Sequence, residues 1–103
     1  MSLVKEAEHT TWEDFDHCTV AEFSDNYWGC DNPIVAEDDA TVWFTTIGAP
    51  FDEGYAVTVV EHEDGWMCEL TGMGATGVAQ SDFHETPQEA WEESRAMFIE
   101  MEG

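Results

Sequence analysis

Self-repulsion is the condition under which this chain has to fold. Twenty-four of its 103 residues are carboxylates and only two, Lys5 and Arg95, are fixed bases, a net charge of −22. Eleven of the acids fall in residues 1–51 and thirteen in 52–103, and the longest run is Glu37-Asp38-Asp39. An acidic tail would be a block of about five or six like charges, so this is a dispersed coat. In dilute salt such a coat pushes a compact state apart. At about 1 M salt the Debye length falls to about 3 Å, and most of that repulsion is screened.

The composition therefore makes physical sense in a salt-filled cytoplasm, and it resembles that of proteins from extreme halophiles, haloarchaea above all. The same charge has a second reading, a DNA mimic whose carboxylates imitate phosphates. Disorder, which high charge favours, is opposed by a 43% hydrophobic and 13% aromatic content, enough apolar surface for a core.

Several partners are excluded by the same balance. Binding nucleic acid requires Lys and Arg to displace counterions from phosphate, and two bases cannot do it. An anionic membrane surface is excluded for the same reason. No apolar stretch approaches the roughly 20 residues of a membrane span, and no apolar signal-peptide region opens the chain. A soluble cytoplasmic protein is expected. Three cysteines, an odd number, argue against a disulfide framework. Met1-Ser2-Leu3 and Glu102-Gly103 read as expression scars, and residues 1–103 as one domain.

Residues 4–16 are polar and acidic, with Trp12 and Phe15 as anchors, and read as a flexible arm or a short helix. His17–Phe23 reads as a strand with Cys18 and Val20 on one face and Ala21 and Phe23 on the other. Ser24–Asn32 is loop-like, Ile34-Val35 a short extended piece, and Thr41–Ile47 a β-rich run ended by Gly48-Ala49-Pro50. Tyr55–His62 and Trp66–Thr71 flank Asp64-Gly65, a favoured pair for a type I′ hairpin turn. That turn would put Val59 opposite Leu70 and Glu61 opposite Cys68. It gathers Tyr55, Val57, Val59, Trp66, Cys68 and Leu70 on one face. Ala56, Thr58, Val60, His62, Met67, Glu69 and Thr71 share the other. Val78–Phe83 reads as a further strand.

Thr86-Pro87-Gln88-Glu89 is a capping box with proline at the first helical position. Behind it Ala90, Trp91, Ser94, Met97, Phe98 and Met101 recur at helical spacing. The expected fold is α+β: an antiparallel sheet of about four to six strands with the C-terminal helix packed on one face.

No segment carries a catalytic signature. Gly72-Met73-Gly74-Ala75-Thr76-Gly77 spells a dinucleotide-binding pattern, but that chemistry needs a helix to start there, and the next segment is strand-like. Ser81, Asp82 and His84 would point to opposite sides of a strand and not converge. The histidines His9, His17, His62 and His84 and the cysteines Cys18, Cys30 and Cys68 follow no metal-ligand spacing. Neither a catalytic residue, a metal nor a cofactor is expected. The candidate binding residues are Tyr27 and Trp28, in the turn-rich loop Asn26–Pro33, with Trp43 on the neighbouring strand. These rings cap the core, make a protein contact, or line a pocket for a small ligand or substrate.

From Tyr55 to Met101 the order is strand, Asp-Gly turn, strand, glycine loop, strand, and a helix opening on Thr-Pro-Gln-Glu-Ala. It resembles the small HicB-type antitoxin domain at Tyr55, Val57 and Val59, at Glu63-Asp64-Gly65-Trp66, at Gly72–Gly77 and at Thr86–Trp91. It departs from that domain in its longer glycine loop, without the proline-containing segment, and in having no strand after the helix. The resemblance implies binding and neutralising a basic RNA-cleaving toxin. The expected function is a binding module, either a homodimer or joined to another protein.

Overall fold

The computed structural model describes residues 3–23, 37–47, 55–72 and 75–102. Helix α1 (Leu3–His9) leads into a 3₁₀ turn (Trp12–Asp14), strand β1 (Asp16–Thr19) and the single-turn helix α2 (Val20–Phe23). Then come β2 (Thr41–Ile47), β3 (Tyr55–His62), β4 (Gly65–Gly72), β5 (Ala75–Gln80) and α3 (Pro87–Glu102). The strands lie in chain order in one sheet, each antiparallel to the next. Helix α3 packs against β3, β4 and β5, which makes this the expected α+β fold.

Helix α3 begins where its cap dictates. The Thr86 hydroxyl accepts the Glu89 backbone N–H at 3.2 Å and donates to the Glu89 carboxylate at 2.9 Å. Ala90, Trp91, Ser94 and Phe98 are buried on its inner face, whereas Met101 is 57% exposed. The apolar stripe therefore ends one turn earlier than the spacing implies. Helix α1 packs on α3 and buries Ala7, so residues 3–15 belong to the fold and are not an arm.

The β3–β4 hairpin departs from the type I′ expectation. Val59 lies opposite Cys68 and Glu61 opposite Trp66, and His62 pairs with Gly65. Glu63 and Asp64 are thus the turn residues. A type I′ turn needs positive φ at both central positions, and among the described residues none but glycine has it. Gly65 adopts φ +134° where β4 starts against the segment before α3. There Trp66 and His84 exchange backbone hydrogen bonds of 2.8 and 2.9 Å. The slip is two residues, so every side chain keeps its expected face. A slip of one would have reversed them all.

Thr19 ends the strand expected to reach Phe23. Its hydroxyl accepts the Glu22 backbone N–H at 3.2 Å and donates to the Glu22 carboxylate at 3.1 Å, a helix-starting cap. The chain turns, and Val20 and Phe23 both fold over Val42 and Val60 on the sheet face away from α3. The larger core lies under α3, where Ile47, Val57, Val59, Cys68, Leu70 and Ala79 meet Ala90, Trp91 and Phe98. Full burial of an aliphatic or phenyl side chain contributes about 1.5–3 kcal/mol, so this layer holds most of the stabilising surface. Among the described residues no helix is long and apolar enough to cross a membrane.

Candidate functional site

Of the three expected binding residues, Tyr27 and Trp28 lie outside the described residues. Trp43 lies in β2 on the α3 side of the sheet, half-buried in a run of rings. It sits 4.4 Å from the His17 ring and 4.9 Å from Trp12, centroid to centroid. Trp12 stacks on Phe15 at 4.6 Å, and Phe15 meets the edge of Trp91 at 5.3 Å. Trp43 thus joins the edge of the sheet to the helical layer. The sequence marks these rings singly, but the 3₁₀ turn that brings Trp12 onto Trp43 leaves no simple periodic signal.

Ser81, Asp82 and His84 do not assemble into a catalytic group. The buried Ser81 hydroxyl accepts the Cys68 N–H at 2.8 Å and donates to the Asp82 carbonyl at 2.8 Å. It continues the β4–β5 pairing by a side chain after β5 has ended at Gln80. His84 Nε2 instead lies 2.6 Å from Glu93 Oε1, which also accepts the Asp82 N–H at 3.0 Å. These bonds, the histidine contact first, hold the Glu93 carboxyl below the usual carboxylate range.

A depressed carboxylate stabilises the fold above its unfolded pKa, and that contribution is lost as pH falls through the folded value. With the two side chains 28% and 31% exposed, the effect is small. Glu93→Gln should lower the thermal midpoint modestly at neutral pH. The gap from wild type should close on acidification below the usual carboxylate range. Thermal melts of both proteins from neutral to acid pH check this, and a gap independent of pH contradicts it.

The cysteine and glycine signals are structural. Burial pushes the Cys68 thiol up to about 12, and the residue is fully enclosed beneath α3. Such a thiol packs as a small hydrophobe and is no nucleophile at neutral pH. Burial, then the neighbouring Glu22 charge, also raises Cys18. Cys30 lies outside the described residues. In the glycine-rich segment Gly72 ends β4 and pairs with Ala75 of β5, so a strand stands where a dinucleotide site needs a helix. Among the described residues no group of three or more His, Cys, Asp or Glu is placed to hold a metal ion.

Two further surfaces stand out among the described residues. One is an open cleft of about 640 Å³ beside the β3–β4 turn, walled by Glu37, Asp39, Glu61, Glu63 and Asp64. His62 meets the edge of Phe83 there, at 5.6 Å, and Phe83 is 46% exposed. Its sequence signals are the Glu37-Asp38-Asp39 and Glu61-His62-Glu63-Asp64 runs, which lie far apart in the chain and meet only in the fold.

The second is the sheet face away from α3. Pairing places Phe44 and Thr46 of β2, Ala56 and Thr58 of β3, and Met67, Glu69 and Thr71 of β4 on that side. Val20 and Phe23 cover only its Val42–Val60 end. Glu69 is the sole carboxylate that β2, β3 and β4 present there, and its charge is engaged by the Gln80 amide and the Thr71 hydroxyl. No family model matches the chain, and neither a curated protein nor a solved structure gives a match.

Proposed function

We propose that this chain is a binding module of a salt-rich cytoplasm that works as a homodimer through the sheet face opposite α3. The observation that carries the reading is charge depletion. In a protein of net charge −22, strands β2, β3 and β4 present threonine, alanine and methionine on this face with Glu69 as their one carboxylate, and the edge strand β1 adds Asp16 opposite Phe44. Depletion of charge at the centre of a patch marks interface cores. A two-fold pairing of identical patches is the commonest way to cover one. Molar salt screens the charge of the two rims and strengthens apolar burial.

Light scattering in molar KCl at micromolar protein tests this. The expected mass is twice the 11.6 kDa of one chain, and Thr58→Glu should return it to 11.6 kDa by placing a charge between Phe44 and Glu69 in the middle of the uncovered face. A wild-type mass of 11.6 kDa contradicts the dimer.

A second reading rests on topology. The order β3, β4, β5, α3 is the strand–strand–strand–helix order on which the resemblance to HicB-type antitoxin domains was based. Under that reading the face, or the acidic cleft, receives a basic protein partner. A monomer in light scattering would favour it.

A further inference from the structure

Arg95 is the only arginine of the chain, and its guanidinium has no ion pair or hydrogen bond among the described residues. In a protein with twenty-four carboxylates this partly exposed cation is left to solvent and to whatever enters beside it. Arg95 lines a notch of about 170 Å³ between the first two turns of α3 and the segment joining α1 to the 3₁₀ turn. Glu92, one turn earlier on α3, lines the same notch and makes no ion pair with Arg95. An opposite pair therefore lines one small space, with no ion pair to either charge among the described residues.

The other walls are fixed. The Thr10 hydroxyl is already spent on the Glu6 carbonyl at 2.7 Å, and Trp91 is buried at the floor. Thr11 and Gln88 add polar groups, and the half-buried Trp12 ring adds an apolar side.

We infer that this notch binds a small zwitterion, a molecule with a carboxylate and an ammonium group a bond or two apart, of the size of a short α-amino acid. The guanidinium fork takes a planar carboxylate through two parallel N–H donors. Glu92 takes the ammonium. The notch, about 170 Å³ and open to solvent, has room for the backbone groups of an amino acid as small as glycine or alanine. Charge selects further. A free anion engages Arg95 but meets Glu92, and a free cation engages Glu92 but meets Arg95, whereas a zwitterion satisfies both groups. Trp12 meets Trp43 at a tilted 4.9 Å, so the expected aromatic residue lies one ring from the notch. The site is independent of the sheet face proposed for self-association.

The test is a titration of the full chain in molar KCl with alanine up to about 100 mM, a range suited to millimolar affinity. It is followed in ¹H–¹⁵N spectra at the Trp12 indole and the Arg95 Nε–H. Saturable shifts are expected at both. Acetate and methylamine, each bearing half of the zwitterion, should bind about tenfold more weakly or worse. Arg95→Gln and Glu92→Gln should each weaken alanine binding about tenfold or more while the remaining spectrum overlays that of wild type. Two variants are used so that poor folding of one leaves the other decisive. The absence of a saturable shift overturns the proposal, as does unchanged binding in a folded variant. Acetate binding as tightly as alanine overturns it in favour of a plain anion site.

Discussion

Replacing Gly65 by valine is expected to lower stability by about 3 kcal/mol, far more than an ordinary surface change. Two costs combine. The residue sits at φ +134°, a region that side chains branched at Cβ essentially never enter. A Cβ there would also lie 2.6 Å from the His84 carbonyl oxygen. That oxygen belongs to backbone, and it accepts the Trp66 N–H at 2.8 Å, so it cannot move away without breaking the bridge between β4 and the segment leading to α3. For a domain of this size the thermal midpoint should fall by roughly 12–24 °C. Glu63→Ala and Asp64→Ala, at exposed turn positions, should change stability by no more than about 0.5 kcal/mol. Thermal melts in molar KCl check all three. An unmoved midpoint for Gly65→Val would mean that β4 does not start against His84.

Gly65 also shows how much of this fold could be read from the chain. The Asp64-Gly65 pair identifies the hairpin and the faces of β3 and β4, because period-two alternation is carried by Val57, Val59, Cys68 and Leu70 themselves. The register is a different matter. The local pair favours a turn centred on Asp64-Gly65, yet Gly65 is taken up by a close backbone approach from His84, nineteen residues on. No local pattern contains that contact.

Thr19 makes the opposite point. The Thr19-Val20-Ala21-Glu22 run is a capping signature that was present to be read, but alternation through Val20 and Phe23 suggests a continuing strand. The cap prevails, and both side chains land on one face instead of two. Helix α3 was legible almost to the residue at its start, since cap, proline and stripe all agree. Its Met101 end was not, because the sheet runs out before the apolar spacing does. Trp43 was singled out from the sequence as an aromatic side chain without its surroundings. Its partners Trp12 and His17 come from two other elements, and the open charge of Arg95 depends on where carboxylates do not lie. Neither is written in a local pattern.

Salt dependence of folding bears on the whole account, because a dispersed coat of twenty-four acids over two bases sets the repulsion against which every layer must pack. Between about 0.1 M and 1 M salt the Debye length shrinks from about 10 Å to about 3 Å. Repulsion between neighbouring carboxylates is largely removed over that range. The structure supplies the reporter: Trp12, Trp43 and Trp91 belong to one set of ring contacts joining the sheet to the helices, so their asymmetric environment exists only when those layers are packed. The decisive measurement is near-ultraviolet circular dichroism from low to molar KCl. The tryptophan signal should be weak or absent near about 0.1 M KCl and rise to a plateau towards about 1 M as screening becomes complete. A full native signal at low salt, unchanged by added KCl, would contradict the halophilic reading. It would leave the charge to be explained as a phosphate-mimicking surface suited to ordinary salt.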